Sequence, residues 1–268
     1  MTHPPLSPDA RCAPAPDRAI LRLEGEDREK FLQGLVTQDV RLAQRDGLAY
    51  AAMLTPQGKL IADFLIVAPP DAPEALLIDV FAPLATDLAR RLMMFRLRSK
   101  VSVTLTDLPV TRGLGPPPPG ALADPRNPAL GWRLYGTALA QGAPIDWDAL
   151  RIAALVPETG AELIPGDSFI LELGFERLHG VDFRKGCYVG QEVTARMHHK
   201  TDLRRGLRRV TLAAPVPAGT PILTADGKEA GTLHTQTAGQ GLALLRHDRC
   251  DGPLTAAGQL LTLAPFSA

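Results

Sequence analysis

The pattern of apolar and polar positions predicts several strands in the first 105 residues. Residues 60–67 form a short and almost continuous apolar run, which is typical of a buried strand, and Asp63 is the only charged side chain on it. Residues 20–23 predict an earlier strand, and residues 101–105 alternate apolar with polar side chains as a half-buried strand does. Because an unpaired buried carboxylate is costly, we expect Asp63 to lie at a solvent edge, to join a backbone hydrogen-bond network, or to face a ligand cavity.

Helical spacing occurs in three other segments. Residues 25–35 carry apolar side chains on one side and acidic residues in the first turn, which predicts a short helix. Residues 82–97 form the clearest helix, and Met93 and Met94 are expected to fill the core beneath it. Asp146 is placed to cap a further helix over residues 147–154.

The two ends of the chain have patterns of their own. Residues 1–17 are rich in proline and show little hydrophobic periodicity, which predicts a disordered tail. From about residue 207, short apolar segments alternate with glycine-containing turns, which favours a small antiparallel barrel or sandwich. Strands mixed with helices without regular alternation indicate an α+β fold.

Composition and charge limit the partners. The chain has 268 residues, of which 45% are hydrophobic, enough to bury one large or two smaller cores. It has 29 basic and 29 acidic residues, so no global field draws it to nucleic acid or to an anionic membrane. No stretch approaches the ~20 apolar residues that cross a bilayer. The first residues lack the features of a signal or transit peptide, so we expect a cytoplasmic location.

Cysteine and histidine usage argues against a metal site within the chain. Cys12, Cys187 and Cys250 are three cysteines at wide spacing, which is unlike a disulfide framework, a zinc site or a Cys-rich iron-sulfur site. His198 and His199 are adjacent, and on a strand they would point apart. We therefore predict no metal ligands.

Residues 185–192, KGCYVGQE, are the strongest candidate for chemistry. Gly186 and Gly190 let the backbone turn tightly or approach another group closely. Lys185 and the arginine before it would stabilise a thiolate at Cys187 if they lie near its sulfur. The alternative is that Cys187 is a small buried apolar residue, which is a common state of intracellular cysteine.

This motif resembles the signature of the YgfZ family, folate-binding proteins that assist iron-sulfur cluster assembly or repair and are related to the aminomethyltransferase of the glycine cleavage system. Five further segments resemble blocks of that family in the same order: FLQGLVTQDV (31–40), AAMLTPQGKLIADFLI (51–66), MFRLRSKV (94–101), RIAALVPETG (151–160) and LELGFERLHGVDFRKGC (171–187). The resemblance implies a folate-binding domain of mixed sheets and helices over residues 18–203, followed by a small antiparallel β-barrel domain over residues 204–268.

The resemblance also implies a site for tetrahydrofolate or a one-carbon derivative. Glu172 matches a glutamate that grips the pterin in the related aminomethyltransferases, where a carboxylate accepts two parallel hydrogen bonds. The alternative for Glu172 is a surface glutamate on a short helix. Asp63 matches an aspartate that acts on the folate nitrogen, although this strand keeps one acid where the transferases often have two. Lys185, Tyr188 and Gln191 are candidates to line the same cavity.

A dense basic run lies between residues 200 and 209. A solvated basic face is one interpretation. A phosphate, the polyglutamate tail of a folate or an acidic partner protein are others, whereas the run lacks the interleaved aromatic residues that favour direct RNA contact.

Three functions remain. The first is an accessory protein that binds reduced folate and uses Cys187 to support iron-sulfur cluster assembly or repair, with client enzymes or assembly proteins as partners; KGCYVGQE favours it. The second is a folate-dependent aminomethyl or one-carbon transferase, favoured by Asp63. The third is a folate-binding regulatory module without chemistry. We expect an assembly or repair factor rather than a classical enzyme.

Overall fold

The computed structural model describes residues 6–200 and 203–264, and of Lys200 only the backbone. The chain divides into two compact units, each built from two separate stretches of sequence. The first unit comprises Met1–Ile145 and Glu176–Gln191, and the second comprises Asp146–Phe175 and Glu192–Ala268. The sequence analysis placed the domain boundary between residues 203 and 204 instead. That boundary stays a prediction.

The first unit contains two antiparallel sheets. Its described residues form the strands β1 (Arg11–Pro14), β2 (Arg18–Glu24), β3 (Leu48–Leu54), β4 (Leu60–Val67), β5 (Ala75–Phe81), β6 (Ser102–Thr106), β7 (Val110–Leu114), β8 (Leu122–Ala123) and β9 (Trp132–Tyr135). Its helices are α1 (Arg28–Gln33), α2 (Arg41–Asp46) and α3 (Ala85–Phe95). One sheet has the strand order β3-β4-β5-β2-β6 and the other has the order β1-β7-β9-β8.

The main core of the first unit covers one face of the five-stranded sheet. Because side chains alternate along a strand, Phe64 and Ile66 of β4 join apolar side chains of α1 and α3 in this core. Asp63 and Leu65 point to the opposite face of the same strand. That face therefore carries the charged residue that the sequence singled out.

The predicted elements of this unit are largely confirmed. The buried strand over residues 60–67 is β4, and the clearest helix is α3, preceded by a short 3-10 helix. The expectation that Met93 and Met94 fill the core is wrong, since they are 37% and 66% exposed. The face of α3 that packs on the sheet is covered by Leu88 and Leu92 instead.

The predicted disordered tail is wrong for residues 11–14. These residues form β1, which pairs with β7, and Cys12 on this strand is buried. These residues are ordered because they add an edge strand to a sheet whose other strands come later in the chain. The proline content of the segment does not show this pairing. Residues 1–5 of the predicted tail lie outside the described residues.

The second unit contains a closed barrel. Its elements are α4 (Trp147–Ala154), α5 (Gln191–Lys200, whose first residue ends the first unit), β10 (Arg205–Thr211), β11 (Thr220–Thr224), β12 (Glu229–Thr237), β13 (Gln240–Arg246), β14 (Leu254–Ala256) and β15 (Gln259–Leu263). The strands close in the order β10-β13-β12-β11-β14-β15 and are all antiparallel, which confirms the predicted barrel.

Two local predictions in this unit had different outcomes. Asp146 caps α4 as predicted, because its Oδ1 accepts a hydrogen bond of 2.9 Å from the Ala149 backbone N–H. His198 and His199 lie on a helix, not on a strand, and their Nδ1 atoms are 3.2 Å apart. Among the described residues, no helix is long and apolar enough to span a bilayer.

Candidate functional site

Cys187 is exposed in the irregular segment that precedes α5. The alternative of a buried apolar cysteine is therefore wrong. We call residues 179–190 the cysteine loop. Its geometry is set by contacts within the first unit, chiefly with the segment that joins α1 to α2.

Lys185 is the first attachment of the cysteine loop. Its Nζ donates hydrogen bonds to the backbone carbonyl oxygens of Gln33 at 2.6 Å and Val36 at 2.5 Å. In return, the Gln33 Nε2 donates to the Lys185 carbonyl oxygen at 3.4 Å. The Lys185 ammonium thus satisfies carbonyls at the end of α1, where a positive charge is also favoured by the helix dipole.

Thr37 and Gln38 are a second attachment. The buried Thr37 hydroxyl donates to the Gly180 carbonyl oxygen at 2.6 Å and accepts from the Ala52 backbone N–H at 2.9 Å. The Gln38 Nε2 donates to the His179 carbonyl oxygen at 2.7 Å. These bonds join the start of the cysteine loop to β3, although about 140 residues separate the partners in sequence.

The two glycines of the motif are required for different physical reasons. Gly190 has a φ of +85°, and a Cβ there would lie 2.6 Å from the Thr55 carbonyl oxygen and 2.9 Å from the Leu54 Cβ. Gly186 has a φ of +104°, and a Cβ there would meet nothing within 4 Å. Gly190 is needed for a close approach to the end of β3, whereas Gly186 is needed only for its backbone conformation.

Tyr188 and Gln191 close the turn that directly follows Cys187. The Gln191 Oε1 accepts from the Tyr188 backbone N–H at 3.1 Å, and the Gln191 N–H donates to the Tyr188 carbonyl oxygen at 3.2 Å. The Lys185 Nζ lies 5.1 Å from the centroid of the Tyr188 ring, within cation–π range. Burial lowers the pKa of Lys185 to about 8, while Asp39 and Asp182 oppose this shift.

Four of the six predicted site residues therefore come together in the cysteine loop and at the first residue of α5: Cys187, Lys185, Tyr188 and Gln191. The polar atoms of Lys185 and Gln191 are engaged in holding the loop, and only the thiol is presented outward. Their predicted roles in folate binding stay predictions. Thr37 and Gln38, which hold the loop, were missed by the sequence analysis, because their partners lie 143 and 141 residues away.

Asp63 lies at one end of a buried network of charged side chains in the first unit. Its Oδ2 accepts a hydrogen bond of 2.9 Å from the Tyr50 hydroxyl, and the Arg126 guanidinium lies 5.4 Å from the centroid of the Tyr50 ring. Asp63 is only 4% exposed, so the expectation of a solvent edge is wrong. A ligand that uses Asp63 would have to replace or share its bond with Tyr50.

The network continues between the two sheets through Asp124 and Asp79. Arg126 and Arg133 both bind Asp124, at 2.8 Å and 3.1 Å. Asp79 in turn binds Arg133 at 2.9 Å and Arg18 at 2.6 Å. Burial alone would raise the pKa of Asp79, but these two guanidinium groups hold it below its ordinary value. The network has three arginines and three aspartates and is formally neutral: Arg18, Arg126, Arg133, Asp63, Asp79 and Asp124.

Glu172 lies in the second unit, within a run of turns. It is 8% exposed, so the alternative of a surface glutamate on a short helix is wrong. Its Oε2 binds the Arg205 Nη2 at 3.2 Å, and its Oε1 accepts from the Arg205 Nε at 3.5 Å. An ionised carboxylate has about four acceptor sites, so Glu172 fits a pterin that shares or displaces these long bonds.

The described residues contain no group of three or more His, Cys, Asp or Glu side chains that could hold a metal ion. Cys187 is a free and exposed cysteine. Such a thiol can bind a metal centre whose other ligands come from elsewhere, because the thiolate is the form of cysteine that binds metal.

Comparisons with known proteins identify the family. The family model described as "CAF17, C-terminal beta-barrel domain" matches residues 204–267. "Iron-sulfur cluster assembly factor IBA57, mitochondrial" of Mus musculus is 32% identical, over 92% of this chain and 81% of that protein. The chain belongs to the IBA57 family. Its Homo sapiens member is 33% identical to this chain, over 88% of this chain and 78% of that protein.

The fold of this IBA57-family chain also has a counterpart among solved structures. The glycine cleavage system aminomethyltransferase T from Bartonella henselae superposes with a TM-score of 0.77, over 96% of this chain and 85% of that one. At 13% sequence identity this likeness shows the fold alone, and it confirms the predicted fold class.

Two sequence-based expectations change with these findings. The resemblance to the YgfZ family is confirmed at the level of a related family, since the relatives found are IBA57 proteins. The expected cytoplasmic location is wrong by the same comparison, because these relatives are named as mitochondrial proteins. The role in iron-sulfur cluster assembly is supported by the family.

Proposed function

We propose that this protein supports iron-sulfur cluster assembly through Cys187, which ligates an iron of the cluster while the cluster is handed to or from a partner protein. The observation that carries the proposal is an exposed thiol on a loop fixed by buried hydrogen bonds. Fixing the loop lowers the conformational cost of presenting one sulfur to a partner in a defined position. The cluster is cargo here, and its remaining ligands come from the partner.

The test is recovery of a [4Fe-4S]-dependent enzyme in cells that lack this gene, under mild oxidative stress. Wild-type protein and a Cys250→Ala control, which changes a half-buried cysteine elsewhere, should restore the enzyme. Cys187→Ala should not. Equal rescue by Cys187→Ala would show that the thiol is not required. Normal enzyme activity in the deletion would show that the protein is not needed for cluster assembly.

We further propose tetrahydrofolate, or a one-carbon derivative of it, as a ligand held by Glu172. The nearly buried carboxylate, paired only loosely with Arg205, supports this assignment. When bound, the folate would supply one-carbon chemistry or act as a structural ligand. No step of cluster transfer is assigned to it.

Calorimetric titration with tetrahydrofolate tests the ligand. Glu172→Gln should weaken binding by about 1.5–3 kcal/mol, the scale of a hydrogen bond to a charged group, while the exposed Glu176→Gln control should not. Unchanged affinity in Glu172→Gln would reject the assignment. Turnover of a folate-bound one-carbon group that is lost in Asp63→Asn would instead support the transferase alternative.

A further inference from the structure

A groove of about 800 Å³ lies in the first unit, beside α1 and the segment that follows α3. We call it the α1–α3 groove. Its floor contains Phe31 and Leu35 of the α1 region, and its other apolar side chains are Phe95 and Leu97. Lys30 and Arg98 also line it. The function proposed above assigns no role to this surface.

Two apolar side chains that line the groove are exposed. Phe95 is 43% exposed and Leu97 is 88% exposed. Leu97 also has a φ of +45°, a left-handed conformation that is uncommon for a branched side chain. Contiguous exposed apolar side chains of this kind mark interaction sites on soluble proteins.

The charged side chains of the groove leave a positive surplus. Among residues 6–200 and 203–264, neither Lys30 nor Arg98 makes a side-chain hydrogen bond or an ion pair. Asp27, the acidic residue of the groove, already accepts a hydrogen bond of 2.8 Å from the Lys100 backbone N–H. Two cations beside an apolar floor therefore have no internal partner for their charge.

The groove and the cysteine loop share one stretch of chain. Lys185 binds the carbonyl oxygens of Gln33 and Val36, and Leu35 between them lines the groove. A molecule in the groove would therefore contact the same segment that holds the Cys187 loop in place.

We propose that the α1–α3 groove binds an acidic amphipathic helix of a protein partner. The apolar side chains of that helix would pack on Phe31, Phe95 and Leu97, and its carboxylates would pair with Lys30 and Arg98. The cations match carboxylates in charge, and the apolar floor needs a partner that buries leucine-like side chains in a groove. The proposal extends the proposed function. It rests on that function only in taking the partner to be a cluster-assembly or client protein.

A model peptide tests the binding chemistry directly. The probe is a fluorescent peptide of about 16 residues, roughly four helical turns, built of Glu and Leu with the leucines on one face. In anisotropy titrations of the full chain, Leu97→Ser and Arg98→Glu should each weaken binding at least about tenfold. Leu260→Ser, which changes an exposed leucine of the second unit, is the control and should leave it unchanged.

Three results would overturn the proposal. One is equal binding of the peptide to wild type and both groove variants. Another is equal binding of a peptide with Lys in place of Glu. The third is that the wild type sediments as a dimer and Leu97→Ser as a monomer. The groove would then be covered by a second copy of this chain.

The cell assay separates this proposal from the proposed function. The double variant Leu97→Ser/Arg98→Glu, which keeps Cys187, should fail to restore the [4Fe-4S] enzyme. If the double variant restores it and Cys187→Ala does not, the groove proposal is wrong and the thiol proposal stands. If Cys187→Ala restores the enzyme, the thiol proposal fails, and the peptide titrations still decide the groove.

Discussion

Lys185 and Gln33 bind each other's backbone carbonyl oxygens through their side chains, the Lys185 Nζ at 2.6 Å and the Gln33 Nε2 at 3.4 Å. The lysine beside the cysteine is thus engaged with the end of α1. The sequence suggested that this cation stabilises a thiolate. The structure shows a positioning role for Lys185, because its Nζ donates to two backbone carbonyls and lies 5.1 Å from the centroid of the Tyr188 ring. Stabilisation of a thiolate by this cation stays a prediction.

Replacing Lys185 by methionine should loosen the cysteine loop. The change keeps much of the apolar stem but leaves two carbonyl oxygens without their donor, a loss of about 1–3 kcal/mol. We expect faster hydrogen exchange at residues 186–190, by about tenfold or more, measured by mass spectrometry. The control is Lys30→Met, which removes an exposed lysine of α1. Unchanged protection in Lys185→Met would show that the other attachments suffice.

Thr37→Val should destabilise the first unit through two backbone groups. Valine has the same shape but leaves the Gly180 carbonyl and the Ala52 N–H buried without the hydroxyl, which costs about 1–3 kcal/mol for each unsatisfied group. Thr37→Ser keeps both bonds and should cost much less. Urea unfolding of the two variants measures the difference, and equal midpoints would contradict this account.

The two glycines of the motif should respond differently to alanine. Gly190→Ala places a Cβ against the Thr55 carbonyl oxygen and the Leu54 side chain and also strains φ, so we expect a loss of several kcal/mol or failure to fold. Gly186→Ala meets open space and should cost only the strain of about 1–2 kcal/mol. Thermal unfolding of both variants decides this, and a larger effect at Gly186 would contradict the assigned reasons.

The sequence predicted elements well where periodicity is local and poorly where contacts are distant. The run over residues 60–67 became β4, and Asp146 capped α4, because spacing and capping depend on neighbours in sequence. Cys12 was assigned to a disordered tail, since its ordering comes from β7, about 100 residues away. Likewise, no local pattern singled out Thr37, because its partner Gly180 lies 143 residues away in sequence.

Asp79→Asn should be among the most destabilising single changes in the first unit. It removes the charge that pairs with Arg18 and Arg133 in a fully buried site, and breaking a buried ion pair costs about 3–5 kcal/mol. Asp87→Asn, which affects only exposed arginine pairs, should cost under about 1 kcal/mol. Denaturant unfolding of both variants tests this, and a small effect of Asp79→Asn would mean that water or rearrangement relieves the buried charge.

The last prediction concerns pH. The pKa of Lys185 is about 8 in the folded chain and about 10.5 when unperturbed, with burial as the main cause. Between these values the unfolded chain binds more protons, so the contribution of Lys185 to the free energy of unfolding should rise with pH from 8 to 10.5. Because the side chain is only half-buried, we expect a rise of about 1–2 kcal/mol. A neutral amine still has two hydrogens to donate, so both carbonyl bonds can persist.

The measurement is the difference in unfolding free energy between wild type and Lys185→Met, taken at pH 7.5, 8.5, 9.5 and 10.5. Subtracting the variant removes the titration of the other groups, which both proteins share. Wild type should gain on the variant as the pH rises. A difference that stays flat, or that falls with pH, would show that the carbonyls of Gln33 and Val36 stabilise the charged ammonium enough to cancel the effect of burial.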